Sequence, residues 1–252
     1  MIERIVNILT PHRLPYKTCV MGNEGIARAA IEAGVDGVFA YPGTPSTEIS
    51  EIFNYVNSFQ NNASNKVKYP KLVSHSVYFE YSINEKIALE KAIAFSIGNK
   101  SALCVMKNVG MNVASDSLMS ITYQTIGAPL VIVVCDDPGC HSSSNEQDSR
   151  YWGPMASVPV FNPATPDDAF QMIKQAFELS GKIKLPVIVR TTTRVSHTRG
   201  IVTYGIINYE NHEARFDSLP EHIDIPARTA SAHVRLLDKL KSETVLSFFK
   251  TE

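Results

Sequence analysis

A doubly wound α/β fold, with a mostly parallel sheet and helices on both faces, is predicted by three features of this 252-residue chain. Short apolar runs rich in β-branched residues, such as Leu103-Cys104-Val105-Met106 and Val131-Ile132-Val133-Val134, have the pattern of strands buried on both faces. Between them lie segments in which small and apolar residues recur at helical spacing. Glycine, proline and polar clusters separate the two kinds of segment, so strands alternate with helices, which is the rhythm of a parallel sheet. At 44% hydrophobic and 19% charged residues, the chain is large enough to bury a full core.

Each element follows from local chemistry. Residues 22–34 place Ile26, Ala29, Ala30 and Ala33 on one helical stripe, with Asn23 as N-cap and Gly34 as terminator. A strand over 37–41 leads into Pro42-Gly43-Thr44-Pro45-Ser46, a turn of residues that fix or free the backbone, and then a helix over 47–56. Residues 57–70 are polar and predict a surface loop. The pattern then gives a strand over 71–76, a helix over 84–97, a strand over 102–106, a helix over 114–125 and a buried strand over 129–135. A short strand at 158–161 precedes Thr165-Pro166-Asp167-Asp168, a helix start with a capping hydroxyl, an early proline and acids at the positive end of the dipole. That helix is expected to reach Gly181, and a strand follows over 185–193. From about Tyr204 the pattern weakens, and a last helix is predicted over 232–249. The expected organisation is one unit over 1–203 and an extension over 204–252 that packs on it or on a partner.

Several function classes are disfavoured. A formal net charge of −1 and the absence of any Lys/Arg run argue against nucleic acid or an anionic membrane as partner. The longest apolar run, 128–135, is too short to span a bilayer, and the first twenty residues lack a long apolar segment behind a basic start, so the chain reads as cytoplasmic. Cys19, Cys104, Cys135 and Cys140 are scattered and predict no cluster; Cys104 and Cys135 read as buried hydrophobes, whereas Cys140 lies in a polar loop. Gly-x-Gly-x-x-Gly, P-loop, Gly-x-Ser-x-Gly and His-x-x-x-His patterns are all missing, which removes the usual backbone for dinucleotide, nucleotide, serine-hydrolase and zinc chemistry. No metal ligand is assigned.

What remains is specific. The stretches Val38-Phe39-Ala40-Tyr41-Pro42-Gly43-Thr44-Pro45-Ser46-Thr47-Glu48-Ile49, Asn84-Glu85-Lys86-Ile87-Ala88-Leu89-Glu90, Met106-Lys107-Asn108-Val109-Gly110-Met111-Asn112-Val113-Ala114-Ser115-Asp116 and Asp136-Asp137-Pro138-Gly139 occur in that order. So do His141-Ser142-Ser143, Asn145-Glu146-Gln147-Asp148, Leu185-Pro186-Val187-Ile188-Val189-Arg190-Thr191-Thr192-Thr193-Arg194 and His197. Together they resemble the large subunit of indolepyruvate ferredoxin oxidoreductase, the arylpyruvate branch of the 2-oxoacid:ferredoxin oxidoreductases, from Gly22 to about Gly200. The resemblance implies the thiamine diphosphate-binding fold in its pyrimidine-binding form. In that family the chain continues into a diphosphate-binding domain with a Gly-Asp-Gly motif and then a ferredoxin-like segment. Gly-Asp-Gly is absent here. The expectation is therefore a separately encoded pyrimidine-binding subunit. It would share thiamine diphosphate with a partner that supplies the magnesium and diphosphate ligands, while iron–sulfur clusters and coenzyme A would sit on partners. A heteromer of even order is expected, because the family pairs its sites about a two-fold axis.

By this resemblance Glu85 is the catalytic and cofactor-binding acid. Taken alone, Asn-Glu at a helix start reads as a cap followed by an acid that the dipole favours. On that helix Glu85 shares a face with Ala88, Leu89 and Ala92, a small apolar stripe that places the carboxyl in a dry contact where it can exchange a proton near neutrality. Pro42, Gly43, Asn108 and Asn112 are expected to border the cofactor, with Lys107 ranked lower. Thr44 looks like a substrate contact, although its turn is equally well explained by its prolines. His141, Gln147 and Arg150 occupy a polar loop after a buried strand; Arg150 suits a substrate carboxylate and His141 a proton, and solvated-loop behaviour is as good a reading. Arg194 and His197 read as polar residues of an edge strand. Two other functions stay open: a split non-oxidative thiamine diphosphate decarboxylase or synthase, and a non-catalytic scaffold domain.

Overall fold

The protein is described by a computed structural model covering residues 2–12, 15–73, 76–207, 213–223 and 225–249. In chain order the elements are α1 (Ile2–Leu9), β1 (Tyr16–Met21), α2 (Gly22–Glu32), β2 (Gly37–Ala40), α3 (Thr47–Asn61), α4 (Ala63–Lys68), β3 (Tyr78–Tyr81), α5 (Glu85–Ile97), β4 (Ala102–Lys107), α6 (Asn108–Tyr123) and β5 (Leu130–Asp136). There follow α7 (Trp152–Ala156), β6 (Val160–Phe161), α8 (Pro166–Ile183), β7 (Val187–Thr192), α9 (Thr193–His197), β8 (Arg199–Tyr204), α10 (Pro226–Lys241) and α11 (Glu243–Phe249).

Six of these strands form one sheet in the order β3-β2-β4-β5-β7-β6, parallel at every pairing. Every residue of β4 and β5 is buried, as their unbroken apolar sequences require. Side chains alternate between two cores. Leu103, Val105, Val131, Val133, Val187 and Val189 pack on one face with α2, α3 and α8, whereas Cys104, Met106, Ile132, Val134 and Ile188 pack on the other with α5 and α6. This period-two split across helices on both sides is the doubly wound arrangement expected from the sequence. β2 has β3 on one side and β4 on the other. The chain therefore reverses direction across the sheet at this point, and the crevice beyond the carboxyl ends of β2 and β4 is where open α/β sheets bind ligands.

A second, two-stranded antiparallel sheet pairs β1 with β8, Tyr16 opposite Tyr204 and Met21 opposite Arg199. Beside it Arg28 of α2 is fully buried. Its Nε donates to Glu32 (2.8 Å), Nη1 to the carbonyls of Ile8 (2.6 Å) and Thr10 (2.8 Å), and Nη2 to the carbonyl of Gly205 (2.9 Å). The guanidinium also lies 4.6 Å from the Tyr204 ring centre. One cation thus joins α1, α2 and the end of β8. At the other end of the chain, α10 and α11 bury Leu236 and Val245, and Phe249 stacks on Phe161 at 5.1 Å.

Local expectations fail where a tertiary contact or a cap decides the outcome. Met21, not Asn23, caps α2, because Asn23 turns inward and donates to Pro45 O (2.8 Å) and Glu48 (2.7 Å). The predicted loop over 57–70 holds the end of α3 and all of α4, whose start is capped by the Asn62 side chain accepting from Ser64 N and Asn65 N. A strand was expected over 71–76; the strand found is β3, at Tyr78–Tyr81, and residues 74 and 75 lie outside the described residues. α6 begins directly at Asn108, six residues before the expected 114. The single helix expected over 232–249 is two, divided at Ser242, which is extended (φ −60°, ψ 147°) and whose hydroxyl caps α11 by accepting from Val245 N. Arg194 and His197 lie on the short helix α9, not on an edge strand.

Candidate functional site

All six sheet strands run parallel, so the residues after β2, β4, β5 and β7 gather at one edge. After β2 the chain turns through Tyr41, Pro42 and Gly43 to a cis Thr44–Pro45 peptide, and the turn is closed by Ser46, whose N (2.8 Å) and Oγ (2.7 Å) both donate to Gly43 O. Gly43 lies flush on the neighbouring strand: a Cβ there would sit 3.2 Å from Cβ of Lys107. Lys107, the last residue of β4, is 8% exposed and extends its ammonium to Ser142 O (2.7 Å) in the loop after β5. Ser142 Oγ in turn donates to Thr44 O (3.2 Å). The Thr44 turn, the end of β4 and the loop after β5 are therefore locked together.

The hub of this lock is Asp137, 1% exposed. Its carboxylate accepts from Ser142 N (2.7 Å), Ser143 Oγ (2.7 Å) and Thr193 Oγ1 (2.8 Å). Burial alone would push this carboxyl up; the three hydrogen bonds and the Lys107 charge outweigh it and hold Asp137 well below the usual carboxylate range. Its neighbour Asp136, fully buried, is paired with Arg190 (2.6 Å) and accepts from Ser149 N (3.0 Å), which fixes the far end of the same loop.

Glu85 is the first residue of α5, behind the N-cap Asn84, whose side chain accepts from Ile87 N (2.9 Å). Ala88, Leu89 and Ala92 are fully buried, so the face they share with Glu85 is turned into the core as expected. The half-buried carboxylate lies across Gly110 in the first turn of α6: a Cβ on Gly110 would sit 2.4 Å from Glu85 Oε1 and 2.5 Å from its Cγ. Glycine leaves the space that the acid fills, and a side chain there would displace Glu85. Burial, with a smaller contribution from the Glu85 charge, pushes the thiol of Cys104 on β4 far up, so it behaves as an inert hydrophobe. Among the described residues no hydrogen bond reaches the Glu85 carboxylate. Two residues before Gly110, Asn108 is fully buried; its Oδ1 accepts from Val109 N (2.9 Å), while its Nδ2 has no hydrogen-bond partner among the described residues. An acceptor and a donor, both unused, thus flank the start of α6.

The structure brings Pro42, Gly43, Thr44, Lys107 and Asn108 to this crevice, with Glu85 beside it against Gly110. Asn112 is exposed one turn further along α6. Thr44 is exposed and is held through its carbonyl, leaving its hydroxyl without a hydrogen bond among the described residues. His141 is exposed beside Gly139 on the loop that Asp137 organises, and Gln147 donates to Asn145 (2.8 Å). Arg150 is exposed and engaged: its Nε donates to both carboxylate oxygens of Asp148 (2.8 and 3.0 Å), and that pairing holds Asp148 down at about 2. Asp137, Ser142, Ser143 and Asn23 were not anticipated. Asp136-Asp137, Ser142-Ser143 and Thr193 all lie in the stretches that carry the family resemblance, but no local pattern joins them into a hub.

No protein-family model matches the chain. It is 42% identical over 226 residues to indolepyruvate oxidoreductase subunit IorA of Methanothermobacter thermautotrophicus, a match covering 89% of this chain and 34% of that protein. With IorA of Pyrococcus horikoshii the identity is 40% over 244 residues, covering 94% of this chain and 35% of the relative. The 2-oxoglutarate synthase subunit KorA of Methanothermobacter marburgensis is 25% identical over 194 residues, covering 73% of this chain and 47% of KorA. The solved structure of 2-oxoglutarate:ferredoxin oxidoreductase from Magnetococcus marinus superposes with a TM-score of 0.66, over 93% of this chain and 46% of that one, at 16% identity. Among the described residues no helix is long and apolar enough to cross a membrane. The chain is thus related in sequence to the indolepyruvate oxidoreductase subunits IorA, spanning about a third of their length, and it has the fold of a 2-oxoacid:ferredoxin oxidoreductase.

Proposed function

We propose that this chain is the pyrimidine-binding subunit of a thiamine diphosphate-dependent 2-oxoacid:ferredoxin oxidoreductase that acts on an arylpyruvate of the indolepyruvate kind. The observation that carries this reading is the Glu85 carboxylate lying across Gly110 with no hydrogen bond among the described residues, at the edge of the crevice where the sheet reverses. A carboxyl in that position suits a ring nitrogen. The orphaned Nδ2 of Asn108 suits an acceptor on the same ligand. Both fit the aminopyrimidine of thiamine diphosphate, which when bound supplies a nucleophilic carbon to attack the 2-oxoacid and to hold the electrons left by decarboxylation.

Within this reading, Glu85 would hold a proton at the ring nitrogen. Pro42 and Gly43 shape the wall of the crevice, and Gly43 lets that turn lie close against Lys107. The exposed Thr44 hydroxyl meets the substrate carboxylate, and Asp137, through Ser142, fixes the turn that presents it. His141 and Arg150 stand on the adjoining loop; Arg150 reaches a substrate only by leaving Asp148. Ile83, 82% exposed, and Val113 on α6 flank the position of Glu85 and present apolar surface suited to a covering chain.

That chain would be a diphosphate-binding subunit holding the magnesium, with iron–sulfur clusters and coenzyme A on it or on a further ferredoxin-like subunit, and with the whole self-associating to even order. Purification of the complex from its native host tests this. A co-purifying chain with Gly-Asp-Gly and cysteine clusters supports the proposal; a partner without clusters would favour a non-oxidative enzyme, and no thiamine diphosphate binding in any complex would leave a scaffold. In the active complex, Glu85→Gln is expected to lower turnover by roughly 10²–10⁴-fold with assembly intact; near-normal turnover would refute the role of Glu85.

A further inference from the structure

We propose that a cavity between the carboxyl end of α6 and the helix α10 binds a small organic monocarboxylate with a compact apolar body. The cavity has a volume of about 310 Å³, at the lower end of the range for small-molecule sites. It opens where α6 ends and Thr122 to Thr125 lead away, with Leu219, Ala232 and Leu236 as its apolar wall and Arg235, Lys239 and Glu221 as its charged groups. α6 has 16 residues, which at 1.5 Å per residue puts this end about 24 Å from Asn108. The site is therefore separate from the crevice beside Glu85, and it does not depend on the function proposed above.

The charge balance selects an anion. Arg235 and Lys239 line the cavity, and Lys184 lies outside its lining. Among the described residues none of the three is in an ion pair; Lys239 donates to Lys184 O (3.2 Å), Lys184 to Gly127 O and Arg235 to Ser231 Oγ (3.4 Å). Burial first, and then the charges of Arg235 and Lys184, push the Lys239 ammonium down, with Glu221 the opposing acid. The carboxyl end of α6 adds roughly half a negative charge. Even so, Arg235 and Lys239 against Glu221 and that partial charge leave the lining positive by about half a charge. One carboxylate on the Arg235 fork and the Lys239 ammonium offsets that excess, while an apolar body fills the space against Leu219, Ala232 and Leu236.

Calorimetric titration of the full chain with benzoate, benzamide and inorganic phosphate tests the inference. Saturable benzoate binding is expected, with benzamide at least about tenfold weaker because it lacks the charge, and Arg235→Gln or Lys239→Gln each weakening benzoate by about tenfold. Phosphate is expected to bind more weakly than benzoate, since it leaves the apolar wall uncovered. Circular dichroism confirms that these variants of partly exposed side chains remain folded. No saturable benzoate binding, equal binding of benzamide, or full affinity in both variants would overturn the site; tighter binding of phosphate than of benzoate would overturn the ligand class.

Discussion

Two regions place ionised side chains in or against the protein interior, and they differ in how completely those side chains are used. Around Arg28 the charges are paired inside the chain: the guanidinium makes four donations, and Glu32 accepts from Arg28, Lys174 Nζ (3.0 Å) and Gly205 N (2.7 Å), while the Tyr204 hydroxyl beside them has no hydrogen-bond partner among the described residues. At the carboxyl edge of the sheet, Glu85 receives no hydrogen bond and Asn108 keeps a buried donor unpaired among the described residues. Burial of a polar group without a partner is costly, and one that faces a crevice is a candidate ligand contact. The paired charges around Arg28 serve the architecture, whereas Glu85 and the Asn108 donor at the sheet edge are left available to the proposed ligand.

This contrast can be broken by substitution. Arg28→Ala strands Glu32 in the interior and is expected to destabilise the chain by about 3–5 kcal/mol, read by urea denaturation; a loss below about 1 kcal/mol would mean that the cluster is not structural. Asp137→Ala leaves Ser142 N, Ser143 Oγ and Thr193 Oγ1 without their acceptor and should cost about 3 kcal/mol, while also loosening the Thr44 turn. The same carboxylates predict an acid response. Asp137 and Asp148 have folded values below the ordinary carboxyl value of about 3.9, so their contribution is complete above that pH and is lost as pH falls below it, for Asp148 toward its folded value of about 2. Trp152, the chain's one tryptophan, follows this loop directly and reports the change by fluorescence; a transition centred near pH 6 would contradict the assignment.

Two glycines sharpen the comparison further. At Gly110 the atom an alanine Cβ would strike is the movable end of Glu85, so Gly110→Ala should preserve or slightly raise stability, by up to about 1 kcal/mol from helix propensity. Turnover of the assembled enzyme should nevertheless fall by roughly 10²-fold through displacement of the acid. Equal activity would show that the position of Glu85 is not critical. Gly25 on α2 is the control. A Cβ there meets only ordinary contacts, the nearest at 3.6 Å, so Gly25→Ala should stabilise by about 0.5–1 kcal/mol and leave activity unchanged.

The legible parts of the sequence are those whose reason is local. β4 and β5 announce themselves by unbroken apolar runs, α8 by its Thr165 capping box, and α5 by the Asn84 cap that also delivers Glu85. The parts that could not be read depend on distant partners. The β1–β8 ribbon unites residues about 180 positions apart in chains with no clear alternation. α4 buries none of its residues, so no periodicity betrays it. Val109-Gly110-Met111-Asn112-Val113 reads as a poor helix until Glu85 is seen to occupy the space above Gly110. Asp137 is an unremarkable acid until Ser142, Ser143 and Thr193, the last 56 positions away, fold onto it.

The most direct test is a structure of this chain assembled with its diphosphate-binding partner and thiamine diphosphate. The account predicts the Glu85 carboxyl within about 2.6–3.2 Å of a pyrimidine ring nitrogen, still resting against Gly110. A carboxyl directed into bulk solvent, away from both cofactor and partner, would contradict it.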